Sequence, residues 1–95
     1  MMTEKRGKIE ISVENYREMT IFMYSIKHLL KKDKIRFYYA LKGRDGKSGV
    51  VKSLKIEQLG RAVLLVSAKN SDEVEDFLKL WKCKHKRRKV LVEKQ

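Results

Sequence analysis

Hydrophobic and polar positions follow different periods along the chain, and each change of period marks a new predicted element. Residues 8–13 alternate between polar and apolar side chains, as a half-buried strand does. From about residue 14 to residue 32, apolar side chains recur every three or four positions, which predicts an amphipathic helix. Ser12 or Asn15 is placed to cap its start. The apolar stripe of this predicted helix consists of Tyr16, Met19, Phe22, Met23, Ile26, Leu29 and Leu30.

Three strands are predicted next, because the following segments are rich in β-branched and aromatic residues. The first covers residues 34–42, and a glycine-containing turn with Asp-Gly at its centre follows at residues 43–49. The second and third cover about residues 50–57 and 61–68, and they are joined near residues 58–60. In the first strand, Ile35, Phe37, Tyr39 and Leu41 share one face, and Arg36, Tyr38, Ala40 and Lys42 share the other.

A second helix is predicted to begin at Asn70, which has capping-box spacing to Glu73. Its buried stripe is Val74, Phe77, Leu78 and Trp81; the basic run at 82–89 finishes it, and residues 90–92 form a short last strand. The predicted fold class is α+β, with two helices on one face of an antiparallel sheet of three strands. The sheet has four or five strands if the terminal segments pair, which gives the order (β)αβββα(β). The opposite face of the sheet is then open.

The charge balance narrows the class of partner. The chain has 95 residues, which suits one domain over 1–95, and its 24 Lys and Arg against 12 Asp and Glu give a formal net charge of +12. Adaptation to heat or salt explains many charges of both signs, but not a twofold excess of one sign. Such an excess indicates a polyanionic partner, with nucleic acid first and an anionic membrane surface second.

Several classes of function lack the residues that they need. One cysteine, Cys83, allows no intramolecular disulfide and no thiolate metal cluster, and its basic neighbours have no catalytic partner beside them. His28 and His85 are isolated, so no metal or other cofactor is expected. The acidic group Asp72, Glu73, Glu75 and Asp76 is explained by a helix N-terminus. We therefore expect that the protein is not an enzyme. The lack of a signal-like start or an apolar span favours a cytoplasmic location without membrane insertion.

Three basic regions are candidate nucleic-acid contacts: the open sheet face, the tip of the 42–52 hairpin and the 82–89 run. Each region also has an alternative interpretation. The sheet face is then an ordinary solvated surface, and the glycines of the hairpin are those that a tight turn requires. The 82–89 run then complements the dipole of its own helix or is a nuclear-localisation signal. Exposure of Val63 and Leu65 on the open face would favour a dimer through the sheet. The candidate residues are Arg36, Tyr38, Lys42, Arg44, Lys47, Lys52, Lys55, Arg61, Lys69, Lys82, Lys84, Lys86, Arg87, Arg88 and Lys89.

Two strings resemble a known family. The segment 13–47, which ends in Leu-Lys-Gly-Arg-Asp-Gly-Lys, resembles the first helix, first strand and basic hairpin of the Alu-domain proteins of signal recognition particle. The segment 63–77 resembles their third strand and the start of their second helix. The resemblance implies an α-β-β-β-α fold in which two homologous subunits pair through their sheets and present a concave basic surface to folded RNA. The matching positions are Arg36, Lys42, Arg44, Lys47, Lys52, Lys55 and Arg61. The short hairpin and the extra terminal strands depart from that family.

These observations favour non-catalytic binding of structured RNA, in the manner of the Alu domain or of a ribosome-associated protein. A homodimer, or a heterodimer with a homologous subunit, would form through the sheet. Two alternatives stay open at this point. One is a chromatin-type protein that binds duplex DNA, and the other is a structural subunit of a larger complex whose basic faces are covered by an acidic protein.

Overall fold

The computed structural model describes residues 15–94, so the strand predicted at residues 8–13 lies outside the described residues. Within these residues, four strands and three helices follow one another. They are β1 (Tyr16–Ser25), α1 (Lys31–Lys42), α2 (Gly49–Ser53), β2 (Glu57–Gly60), β3 (Val63–Ser67), a 3-10 turn (Ala68–Asn70), α3 (Ser71–Leu80) and β4 (Lys84–Glu93).

The four strands form one antiparallel sheet in the order β2-β3-β1-β4. The longest pairing joins β1 to β4 over ten residues, and it leaves β4 as an edge strand. Helices pack against the sheet from one side, through a core that includes Phe37 and Leu41 of α1 and Val74 and Leu78 of α3. The predicted class, α+β with helices on an antiparallel sheet, is therefore confirmed, and the order of elements matches roughly. The segments that form those elements differ in several places.

The core is an aromatic and aliphatic layer between the sheet and the helices. Phe37 lies at its centre with no exposed surface, and its ring centroid is 5.5–5.7 Å from the ring centroids of Tyr24, Tyr38, Phe77 and Trp81. From the sheet side, the layer is completed by Phe22, Tyr24, Leu64 and Val66. Burial raises the pKa of Tyr24 to about 12, so its hydroxyl stays neutral over the physiological range.

The helix predicted over residues 14–32 is wrong, because most of that segment is strand β1. Thr20, Phe22 and Tyr24 point to the helices, while Met19, Ile21 and Met23 lie on the opposite face and are half-buried. Apolar side chains therefore occupy both faces of the strand. A run with apolar residues on both faces loses the period of two, and the remaining spacings of three and four imitate a helix.

The strand predicted over residues 34–42 is also wrong, because Lys31–Lys42 form helix α1. Phe37 and Leu41 are four positions apart and fully buried, whereas Ile35 and Tyr39 are 47% and 45% exposed. In a strand these four residues would share a face. In a helix they form two i, i+4 pairs on different faces, so Phe37 and Leu41 are buried while Ile35 and Tyr39 are exposed. The aromatic content of the segment favours a strand locally, and packing of Phe37 into the core overrides it.

Two further assignments need correction. Of residues 50–57, predicted as a strand, 50–53 belong to α2, 54–56 connect it to β2, and 57 is the first residue of β2. The turn predicted at residues 58–60 belongs to β2. The basic run 82–89 does not finish the second helix, because α3 ends at Leu80 and the run enters β4. The predicted third strand, the second helix and the final strand at 90–92 are confirmed as β3, α3 and part of β4.

The capping box predicted for α3 is absent as well. Asn70 holds the N-cap position, but its side chain makes no cap hydrogen bond. Its amide nitrogen instead donates to the carbonyl oxygen of Leu54 at 3.1 Å. The residue therefore ties the start of α3 to the end of α2.

The predicted turn at residues 43–49 is confirmed, although it joins two helices rather than two strands. Asp45 organises it by accepting hydrogen bonds from the Lys47 amide at 2.9 Å and the Ser48 hydroxyl at 3.0 Å. These bonds, first the one from the Lys47 amide, lower the pKa of the Asp45 carboxyl. At Gly49, φ is +80° and a Cβ would lie 2.7–2.8 Å from backbone atoms of Ala40, Leu41 and Gly43. Only glycine fits that position.

Candidate nucleic-acid interface

The face of the sheet opposite the helices combines an apolar strip with a basic column. Its rows follow from the strand register: Ile21 of β1 lies between Leu65 of β3 and Arg88 of β4, and Met23 lies between Val63 and Lys86 in the same way. The apolar strip consists of Met19, Ile21, Met23, Val63 and Leu65 on the two central strands. Within residues 15–94, the helices pack on the other face of the sheet. We call this one the open sheet face, although Leu65 on it is only 8% exposed.

We call Lys84, Lys86 and Arg88 the basic column, because they occupy alternate positions on the open face of β4. Alternate residues of an antiparallel strand are about 6.8 Å apart, so the three cations form an evenly spaced row along the edge of the sheet. All three side chains are exposed. Among residues 15–94, the ion pairs involve other cations, namely His85 and Arg87, so no described carboxylate neutralises the column.

The remaining cations of β4 hold the strand to helix α3. Arg87 donates through Nη1 to Asp72 Oδ1 at 3.0 Å and to Glu75 Oε1 at 2.7 Å. It also donates through Nη2 to the hydroxyl of Ser71 at 2.8 Å, and its guanidinium carbon lies 5.7 Å from the ring centroid of Phe22. The pKa of Arg87 is raised, first by the hydrogen bond to Asp72. The sequence predicts Arg87 as a nucleic-acid contact, but its hydrogen bonds give it a structural role, because they hold β4 to α3.

His85 is the second residue of β4 that bonds to α3. Its Nδ1 lies 3.0 Å from the carbonyl oxygen of Cys83, and its Nε2 lies 3.0 Å from Glu75 Oε2. Both partners can only accept, so both ring nitrogens donate when the ring is protonated. The Cys83 carbonyl first, and then Glu75, raise the pKa of His85, while the hydrogen bond from His85 is the first cause that lowers the pKa of Glu75.

We expect the stability of the protein to depend on the protonation of His85. A folded-state pKa above the ordinary value of 6.5 means that the stabilisation is fully present below pH 6.5 and is lost as pH rises through the raised folded-state value. Urea unfolding measured at several pH values should show this decrease for the wild-type protein. His85→Gln should remove it, and a variant that kept the same pH dependence would contradict the assignment.

Of the eleven other predicted contacts, five lie on helices or on the helix-side face of the sheet, and six lie in connecting segments. Arg36, Tyr38 and Lys42 belong to α1, and Lys52 belongs to α2. Tyr38 is half-buried and packs against the core. The others lie in connecting segments: Arg44 and Lys47 in the 43–48 loop, Lys55 after α2, Arg61 between β2 and β3, Lys69 in the 3-10 turn and Lys82 before β4; Lys89 lies on the helix-side face of β4.

Two of these cations lie over aromatic rings. Lys42 Nζ is 5.2 Å from the ring centroid of Tyr38, and the guanidinium carbon of Arg44 is 5.1 Å from that of Tyr39. Such contacts orient the cations while leaving their charge near the surface. The sequence predicted three basic regions. The structure places the residues predicted for the sheet face and the hairpin on helices or in connecting segments, and those of the 82–89 run on β4 or directly before it.

The prediction that Val63 and Leu65 are exposed is not confirmed. Leu65 is only 8% exposed and Val63 is half-buried. This observation removes the exposed side chains on which the expected sheet-to-sheet dimer rested, and the dimer itself stays a prediction.

Candidate reactive groups are accounted for by packing. Cys83 is buried, and burial raises the pKa of its thiol, which is the opposite of the effect expected from its basic neighbours. Within residues 15–94, no group of three His, Cys, Asp or Glu side chains is placed to hold a metal ion. None of the helices in this part of the chain is long and apolar enough to cross a membrane.

A cleft of about 440 Å³ opens at the end of the basic column, and the sequence did not indicate it. It lies where the loop after β1 meets the turn between α3 and β4, two segments that are remote in sequence. Lys27 in the first of these segments was not a candidate, because an isolated lysine in a turn has no distinguishing pattern. The lining residues are Ser25, Lys27, His28, Lys82 and Lys84.

Comparison with known proteins adds no family to this description. No protein-family model, no curated protein sequence and no solved structure matches the chain.

Proposed function

We propose that the protein binds structured RNA without catalysing a reaction, and that the basic column on β4 holds phosphates of the RNA backbone. The observation that carries this proposal is the column itself: three exposed cations at alternate positions of one strand face, without a described carboxylate partner. Their regular spacing suits a ligand with regularly spaced negative charges. The net charge of +12 favours the same kind of ligand at longer range.

Contacts to the RNA backbone, and not to the bases, fit the chemistry of this face. Stacking of bases on a sheet requires exposed aromatic rings. Within residues 15–94, the open-face positions of β1, β3 and β4 carry methionine, aliphatic, hydroxyl or charged side chains, and the rings of Phe22 and Tyr24 face the core. Lysine and arginine contacts to phosphate position a ligand without reading its sequence. We therefore propose that the shape of the RNA determines which RNA is bound.

The resemblance to Alu-domain proteins gives this proposal little support. The segment that resembles the first helix of that family is strand β1, and the segment that resembles its first strand is helix α1. The proposal rests on the column, and an Alu-like RNA is one of the ligands to be tested.

The first test is the salt dependence of RNA binding. Each neutralised phosphate releases counterions, so three column contacts alone should give a slope of about −2 to −3 in log affinity against log salt. Fluorescence anisotropy with a labelled RNA hairpin between low and high salt measures this slope. An affinity that is independent of salt would eliminate the proposed backbone contacts.

The second test separates the proposal from its alternatives. Duplex DNA of the same length competes against the labelled hairpin, and a hairpin displaced equally well by DNA would favour the chromatin-type alternative. Protein that binds neither nucleic acid at low salt would favour a structural subunit covered by an acidic protein.

A further inference from the structure

We infer that the cleft lined by Ser25, Lys27, His28, Lys82 and Lys84 binds the terminal phosphate monoester of a nucleic-acid strand. This inference rests on the proposed function, and it adds a distinct subsite at one end of the basic column. Lys84 belongs to both the column and the cleft, so a strand that follows the column reaches the cleft at its end.

The cleft is built by two segments that are fixed to each other. Ser25 ends β1, and Lys27 and His28 follow in the loop before α1. His28 Nε2 lies 2.9 Å from the carbonyl oxygen of Trp81 in the turn between α3 and β4. A carbonyl only accepts, so Nε2 carries the proton and the second ring nitrogen stays available for another partner. This bond ties the walls of the cleft together across 53 residues of sequence.

The charge of the lining suits a monoester better than an internal phosphate. Three lysines, Lys27, Lys82 and Lys84, line the cleft with a hydroxyl and an imidazole, and no carboxylate among residues 15–94 lines it. A phosphodiester in the nucleic-acid backbone carries one negative charge, whereas a phosphate monoester carries about −1.5 to −2 at neutral pH and has three acceptor oxygens. A site with several lysine donors therefore gains more from a terminal phosphate.

The backbone conformation at Lys82 fixes where this residue meets the cleft. Lys82 has a φ of +58°, and it occupies the left-handed position of a helix C-terminal motif. The amide of Lys82 donates to the Lys79 carbonyl at 2.9 Å, and the amide of Cys83 donates to the Leu78 carbonyl at 2.9 Å. Glycine is the favoured residue at this position, because other side chains are strained there. The strained lysine brings its ammonium group to the cleft.

Lys55 provides a matched control, because it occupies the same position of the same motif at the end of α2. Its φ is +54°, the Lys55 amide donates to Lys52, and the Ile56 amide donates to Val51. Lys55 is exposed and is not among the residues that line the cleft. Lys55→Gly and Lys82→Gly therefore remove the same charge and the same backbone strain. Only Lys82→Gly changes the cleft.

The experiment compares one hairpin oligoribonucleotide with a 5′ phosphate, with a 3′ phosphate, or with hydroxyl groups at both ends. Fluorescence anisotropy gives the dissociation constants for the wild-type protein and the two glycine variants, and thermal unfolding gives their stabilities. We expect the wild-type protein to bind one of the phosphorylated forms about tenfold more tightly than the hydroxyl form, as for one added charge-assisted contact. Lys82→Gly should lower this ratio towards one, whereas Lys55→Gly should keep it.

Both glycine variants should melt at a higher temperature than the wild-type protein, so a lost ratio in Lys82→Gly cannot result from unfolding. A ratio of one in the wild-type protein, or an unchanged ratio in Lys82→Gly, overturns the inference and leaves the proposed function intact. If the wild-type protein binds none of the three oligonucleotides at low salt, the proposed function fails, and the terminal-phosphate site fails with it.

Discussion

Phe37→Ala should lower the free energy of unfolding by about 3–5 kcal/mol, the range for a phenylalanine removed from a packed core. Phe37 has no exposed surface, and its ring lies within 5.6 Å of the ring centroids of Tyr24, Phe77 and Trp81. The substitution leaves a cavity where the sheet, α1 and α3 meet. Because domains are typically stable by about 5–15 kcal/mol, the loss would be a large part of the total. Urea unfolding followed by circular dichroism measures it.

Ile35→Ala on the same helix provides the control. Ile35 is 47% exposed, so we expect a cost below about 1 kcal/mol. The comparison also tests the fold, because the strand predicted for residues 34–42 places Ile35 and Phe37 on one face. Similar costs for the two substitutions would contradict helix α1.

Replacing all three cations of the basic column by glutamine should weaken RNA binding by about 100-fold at low salt and reduce the slope against log salt by about 2 to 3, the sum for three lost phosphate contacts. Lys84, Lys86 and Arg88 are exposed and, among residues 15–94, are not in ion pairs. Stability should therefore change little. Anisotropy titrations at several salt concentrations measure both quantities, and the midpoint of urea unfolding checks the fold.

The comparison variant changes the same number of charges on the helix side, at Arg44, Lys47 and Lys52, which are also exposed. It lowers the net charge equally, from +12 to +9. Its loss of affinity should be smaller, because these residues lie away from the open sheet face. Equal losses in the two variants would show that net charge determines the affinity and that the column has no special role.

Helix α3 is predicted correctly because one of its faces is polar. Helix α3 carries Val74 and Leu78 on its buried side and exposed charges such as Glu73 and Asp76 elsewhere, so its period is clear. In β1 the apolar residues occupy both faces. In α1 the burial of Phe37 and Leu41 depends on contacts with β1 and α3, which local preference does not contain. These two segments were therefore assigned to the wrong type of element.

For the candidate site, composition predicted the kind of ligand but not the location of the surface. The run 82–89 was singled out for its density of charge, and it does contain the column. Which of its cations reach the open face depends on strand pairing: Arg88 lies opposite Ile21, and Arg87 lies opposite Phe22. A helix in the same place would have distributed those charges differently. The cleft depends on contacts between residues that are remote in sequence, as for His28 and Trp81, and no local pattern indicates it.

Side chains alternate between the two faces of β4. A change in the number of residues in this strand therefore has a different effect from a substitution. Arg87 donates hydrogen bonds that hold the strand to α3, whereas the adjacent Arg88 faces away from the helices. A single-residue insertion or deletion between Cys83 and Arg87 would exchange the two sets of side chains, placing Lys86 against the core and Arg87 on the open face. The fold should therefore tolerate substitutions at Lys84, Lys86 and Arg88, whereas a change in the number of residues of this strand would disrupt both the bonds to α3 and the basic column.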